Sequence, residues 1–146
     1  MQDVRPFGAS KFYMNIALAA HNSKKELLIQ FCTAYSGVLS RHKLCAVSNI
    51  ALLLEQETDL EVMSFLSETA DGSDKISARV MYDEIDMVLI FRDPLENHGK
   101  LSGEIELMRL CDGRNIPFAT NIGSAEILIH GLDRGDLDWR EIARKK

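Results

Sequence analysis

The sequence predicts an α/β domain in which a parallel sheet of about five strands is covered by helices on both faces. Two observations carry this. Short runs that are apolar throughout, such as Asn15 to Ala20 and Ile85 to Phe91, suit strands buried on both sides. They alternate with longer amphipathic stretches, and that alternation implies right-handed strand–helix–strand crossovers. No internal repeat and no Gly/Ser/Pro linker interrupts the pattern, so the 146 residues read as one domain, with 1–13 as an N-terminal extension.

Each element has a local reason. Asn15 to Ala20 is the first strand. Asn22 or Ser23 suits an N-cap, and a helix from Lys24 to Leu39 would follow, with Leu27, Leu28, Phe31, Cys32 and Tyr35 on one face. Lys43 to Val47 is the second strand. Ser48 and Asn49 suit the cap of a helix from Ile50 to Glu57, and Glu61 to Leu66 is a third, short strand. Residues 67–73 form a loop by composition. Asp74 to Glu84 is a helix with Ile76, Val80 and Met81 inward. Ile85 to Phe91 is the strongest strand, and Pro94 stops its pairing. A loop leads to a helix from Glu104 to Cys111, with Ile105, Met108 and Leu110 inward and Gly113 as its C′ residue. Ile116 to Thr120 is a strand, and Ser124 to His130 and Leu137 to Lys145 are helices.

Composition narrows the function classes. Hydrophobic residues at 46% and charged residues at 27%, with nine glycines and three prolines, fit a globular core and argue against disorder. Seventeen basic against 22 acidic residues give a net charge of −5, which does not suit a nucleic-acid partner. Cys32, Cys45 and Cys111 are odd in number, widely spaced and without a CxxC pair, as in core thiols of a reduced, cytoplasmic protein. No apolar run approaches the roughly 18–20 residues of a membrane span, and the N-terminus lacks the apolar core of a signal peptide.

Ligands of open parallel sheets sit at the carboxyl ends of the strands. The polar residues there are His21, Asn22 and Lys25, then Ser48 and Asn49, then Ser67 to Asp74, then Arg92 and Asp93, then Asn121 and Ser124. Helix N-termini on the same edge offer backbone N–H groups to an anion. A carboxylate, an imidazole and a lysine beside them suit proton transfer next to a bound phosphate. Structural roles compete: His21 as a packing residue, Lys25 on a solvated face, Asp93 as a turn starter, His42 on a surface loop. No metal-ligand spacing and no phosphate-loop or nucleophile-elbow motif is present.

The segment Asn15 to Asn22 with Lys25, the segment Ile85 to Leu95, Met108-Arg109-Leu110, and Asn115 to Asn121 with Ala125 resemble the methylglyoxal synthase family, in order and at consistent spacing over about residues 14 to 130. The resemblance implies a five-stranded parallel sheet, usually in a homohexamer. It also implies elimination of phosphate from dihydroxyacetone phosphate through a carboxylate base, with no metal or organic cofactor. On this resemblance His21, Lys25, Ser48, Asn49 and Ser67 bind substrate or phosphate, and the catalytic candidates are Asp93, which keeps its place, and Asp74 and His98, which stand one and two residues from the family positions. This chain departs from the family where phosphate and base are held. Val47 to Ala51 replaces a glycine-containing phosphate loop. Residues Glu68 to Asp74 replace the base segment, with Ser73 where its aspartate belongs. His98 stands two residues before the position of the family histidine, which falls on Lys100. These departures predict weak or lost synthase activity, with a non-catalytic anion-binding or regulatory module as the alternative.

Overall fold

The structure is a computed structural model and describes residues 12–96 and 101–144. Its elements are β1 (Asn15–Ala20), a 3-10 turn (Asn22–Lys24), α1 (Lys25–Ala34), α2 (Ser36–Leu39), β2 (Lys43–Val47), α3 (Ser48–Glu57) and β3 (Val62–Phe65). They continue with α4 (Ser73–Met81), β4 (Met87–Phe91), α5 (Leu101–Gly113), β5 (Phe118–Ala119), α6 (Ile122–Arg134) and α7 (Asp138–Arg144). The five strands form one sheet in the order β3-β2-β1-β4-β5, and every pairing is parallel. The expected fold class is present.

The pleat of β1 sorts the core into two layers. Ile16, Leu18 and Ala20 join the cluster with Leu28, Phe31, Ile50, Leu54, Ile129 and Leu132, contributed by α1, α3 and α6. Ala17 and Ala19 point the other way, to Ile76 and Val80 of α4 and Leu107 and Cys111 of α5. Alternate residues of one strand thus reach opposite helical layers, as the period of two requires. Among the described residues, no helix is long and apolar enough to cross a membrane.

Several local expectations are corrected. The helix expected over Lys24 to Leu39 breaks at Tyr35 (φ −109°, ψ 23°) into α1 and α2. The Thr33 hydroxyl donates back to the Ile29 carbonyl at 2.8 Å, a bond that bends helices. Ser48 and Asn49 do not cap α3 but form its first turn, with Val47 as the N-cap residue and no side-chain cap. Gly113 is helical rather than a C′ residue, and the left-handed position falls on Asn115 (φ 56°). Met81 is exposed, and His42 is buried, its Nδ1 accepting from the Met14 N–H at 3.0 Å. On α5, Ile105 and Met108 face solvent, while Glu104, Leu107 and Cys111 are buried.

Two features fix the frame around the strand ends. Gly72 has φ 78°, and a Cβ there would lie 2.9 Å from the Phe65 ring and 3.1 Å from the Val47 Cβ. Only glycine lets the β3–α4 loop turn this tightly against the sheet. At the opposite end of the strands, Asp86 is fully buried and accepts from the Asn15 N–H at 2.8 Å and from Arg140 Nε at 3.0 Å. Arg144 Nη2 donates to the same carboxylate. This network ties α7 to the amino ends of β1 and β4.

Candidate active site

The strand order reverses direction between β1 and β4, and such a switch point opens a crevice at the carboxyl ends of the two strands. Register brings the ends level: Ala20 pairs with Phe91, and the His21 N–H donates to the Phe91 carbonyl at 2.9 Å. His21 and Arg92-Asp93 therefore emerge side by side.

The His21 ring is held at both nitrogens. Nδ1 lies 3.0 Å from the Asp93 N–H and 3.3 Å from the Asp93 carbonyl oxygen. The nearer group can only donate, so Nδ1 accepts and the neutral ring carries its proton on Nε2. Nε2 then donates to Glu104 Oε2 at 2.7 Å. The other oxygen of Glu104 accepts from Arg92 Nε at 2.7 Å. Glu104 is 6% exposed, and its two oxygens are met by a guanidinium and an imidazole.

A second carboxylate enters from the β3–α4 loop. Ligand atoms of Asp71, His21 and Glu104 all lie within 4.8 Å of one another. Asp71 Oδ1 accepts from the Ser73 N–H at 2.9 Å. Burial opposes ionisation of Asp71, but hydrogen bonding at its carboxylate, the Ser73 N–H included, holds it below the ordinary carboxylate value. Ser73 is itself buried, and a Cβ on Gly103 would lie 2.9 Å from its Oγ, so the start of α5 packs closely on this loop. A histidine and two carboxylates also suit a cation by residue type. Here Arg92 already occupies one oxygen of Glu104, and the Nε2 proton blocks the imidazole lone pair a metal needs.

The remaining sequence-derived candidates are placed as follows. Asp93 organises the turn into α1: its carboxylate accepts from the Ser23 hydroxyl at 2.7 Å and from the Leu95 N–H at 2.8 Å. Those two bonds, the Ser23 one first, hold Asp93 below the usual carboxylate range. Asp74 is exposed, and its Oδ1 accepts from the Ser67 hydroxyl and, at 2.9 Å, from the Thr69 hydroxyl. Burial raises its proton affinity, but these bonds outweigh it and leave Asp74 below the ordinary value. Asp74 and Ser67 are thus partners in one loop, apart from the group that joins Asp71 to His21. Lys25 opens α1, and Ser48 and Asn49 lie at the N-terminus of α3. His98 lies outside the described residues.

Arg92, and Asp71 within the stretch Ser67 to Asp74, were placed at the strand ends from sequence but given no role, and Glu104 was not singled out. A signal existed for Glu104. It stands three and seven residues before Leu107 and Cys111, on the same helical stripe, and a carboxylate on a buried stripe calls for a cation. Asp71 carried no comparable signal.

An open parallel sheet with a guanidinium, an imidazole and two carboxylates at its switch point defines a small α/β protein with a polar strand-end crevice. Comparison with known proteins places it more narrowly. The chain is 49% identical over 133 residues to the methylglyoxal synthase of Caldicellulosiruptor saccharolyticus, covering 91% of this chain and 94% of that one. It is 47% identical over 133 residues to the methylglyoxal synthase of Oceanobacillus iheyensis, covering 91% and 95%. The crystal structure of methylglyoxal synthase from Elizabethkingia anophelis superposes with a TM-score of 0.73 at 26% identity, over 83% of this chain and 81% of that one. No family model matches the chain. The chain belongs to the methylglyoxal synthase family.

Proposed function

We propose that this chain takes dihydroxyacetone phosphate into the crevice between β1 and β4 and eliminates phosphate to give methylglyoxal, at a rate far below that of relatives with an aspartate at the position of Ser73. The observation that carries the reading is the 49% identity to a curated methylglyoxal synthase, which spans nearly the whole chain. The site supports the substrate class. The first turn of α3 has no side-chain cap, so its N–H groups remain for a phosphate, and Lys25 begins the neighbouring helix. The reduced rate follows from Ser73, which has no carboxylate, and from Glu68, whose negative charge stands in sequence where the family has a phosphate-binding glycine. Loss of one well-placed polar group in such sites typically costs about 10²–10³ in rate. The two changes together predict turnover at least ~10³-fold below the intact arrangement.

A second reading is favoured by one contact. Glu104 already takes up the Nε2 donor of His21 and the Nε donor of Arg92, so neither is free to polarise a substrate carbonyl, as in a module that binds a phosphorylated metabolite without turning it over. Simultaneous assays of methylglyoxal and phosphate release from dihydroxyacetone phosphate separate the two. Slow stoichiometric formation of both products supports the synthase. Calorimetric binding with neither product supports the module.

Self-association belongs to the same proposal. The family resemblance motivates it, and Leu66, Tyr82, Leu95 and Ile127, each at least 74% exposed, are apolar side chains that an interface would cover. A strict monomer by light scattering at micromolar concentration would remove it.

A further inference from the structure

Residue position alone makes Asp74 the replacement base, because it follows Ser73. Its carboxylate is instead occupied by the Ser67 and Thr69 hydroxyls of its own loop. Asp71 is the loop carboxylate that stands with His21 and Glu104. Its Oδ1 is fixed by the Ser73 N–H, and it is only partly buried, so the crevice reaches it. Glu104 lies deeper and has both oxygens committed, which suits it to hold neighbouring groups rather than to meet substrate.

From this arrangement we propose that Asp71 is the catalytic base of this chain, and that Glu104 is a positioning residue that orients His21 and Arg92 beside it. The proposal rests on the synthase reading above. The Asp71 carboxylate takes a proton from the hydroxymethyl carbon of dihydroxyacetone phosphate. The C–H electron pair becomes a double bond to the carbonyl carbon, and the carbonyl oxygen becomes an enediolate oxygen. The hydroxyl on the first carbon then passes its proton to the departing phosphate as it becomes an aldehyde. The double bond shifts by one carbon, and phosphate leaves with the electron pair of its C–O bond. The resulting enolate takes back at its terminal carbon the proton held by Asp71 and becomes methylglyoxal. One methylglyoxal and one phosphate form, and nothing is oxidised or reduced overall.

The test compares the full-length wild type with Asp71→Asn, Asp74→Asn and Glu104→Gln. Deuterium exchange at the hydroxymethyl carbon in D2O, followed by NMR, reads proton abstraction. Phosphate release reads elimination. The amide of Asp71→Asn still accepts from the Ser73 N–H, and a melting temperature within a few degrees of wild type checks the fold. Expected for Asp71→Asn is a loss of at least ~10² in both exchange and release, with the affinity for inorganic phosphate unchanged, since a general base typically contributes about 10²–10⁴. Glu104→Gln should lower kcat about tenfold with KM for substrate little changed, as expected when orientation rather than binding is lost. A larger loss in Asp74→Asn than in Asp71→Asn, with wild type active, overturns the proposal and leaves the synthase reading standing. A wild type that neither exchanges the proton nor releases phosphate overturns the synthase reading, and this proposal with it.

Discussion

Replacing Arg140 by methionine is expected to destabilise the fold by about 3–5 kcal/mol, the usual cost of removing one partner of a buried ion pair. Arg140 is 7% exposed, and Asp86, whose carboxylate its Nε meets at 3.0 Å, is fully buried. Arg140 also donates to the carbonyls of Arg114 at 3.2 Å and Asn115 at 3.1 Å. Methionine keeps much of the volume but supplies none of these donors, and Asp86 is left with Arg144 and the Asn15 N–H. Little apolar burial compensates, because Trp139 and Ile142 of α7 are 48% and 54% exposed. For a domain of this size the loss corresponds to roughly 6–20 °C in melting temperature, at about 2–4 °C per kcal/mol. Urea denaturation of Arg140→Met, Asp86→Asn and the double variant measures it. The double variant should fall short of the sum of the single losses by about 0.5–3 kcal/mol, because the residues share one interaction. A loss under about 1 kcal/mol for Arg140→Met, or strict additivity, would show that the network does not hold α7.

Three further outcomes are expected. The thiols of Cys32 and Cys111 are pushed up to about 12 and that of Cys45 to about 11, in each case first by burial. At pH 8 thiol reagents should therefore label native protein at least ~10²-fold more slowly than protein in urea, since the thiolate is the reactive form. The native thiols keep protons that the unfolded chain gives up from about pH 9, so stability should fall as pH rises from 9 toward 11, by up to about 1.4 kcal/mol per pH unit for each thiol. Dialysis against a strong chelator should leave both the melting temperature and any phosphate release unchanged, because Arg92 and the Nε2 proton fill the positions a cation would take; a drop in melting temperature reversed by added metal would reassign His21, Asp71 and Glu104 as ligands.

The sheet was legible because burial on both faces leaves a mark that does not depend on distant residues. The bounds expected for β1 and β2 coincide with those observed, Asn15–Ala20 and Lys43–Val47. The helices were less legible where a polar residue decided the buried face. On α5 the apolar pattern favoured Ile105 and Met108, yet the stripe through Glu104, Leu107 and Cys111 faces the interior. Glu104 is drawn inward by Arg92 and His21, partners 12 and 83 residues away in sequence, and periodicity carries no record of such pairs. Asp86 was hidden in the same way. It sits within the apolar run 85–91 and reads as a strand position, whereas its carboxylate pairs with an arginine 54 residues later.

The same reasoning explains which part of the site could be read. His21 directly follows β1 and Asp93 stands two residues after β4, so topology brings them together where the pairing of Ala20 with Phe91 ends. Asp71 and Asp74 lie on a loop, where spacing along the chain does not fix direction. The turn at Gly72 decides between them, because its positive φ and its contact with the Phe65 ring set the course of the loop. Asp71 lies before that turn and stands with His21. Asp74 lies after it, in the first turn of α4, and bonds back to Ser67 and Thr69. A one-residue offset between Ser73 and Asp74 is therefore not bridged by a small shift of chain. The loop carboxylate that stands with the imidazole comes from the other side of the glycine, where the Ser73 N–H holds one of its oxygens and Gly103 packs closely on the Ser73 side chain.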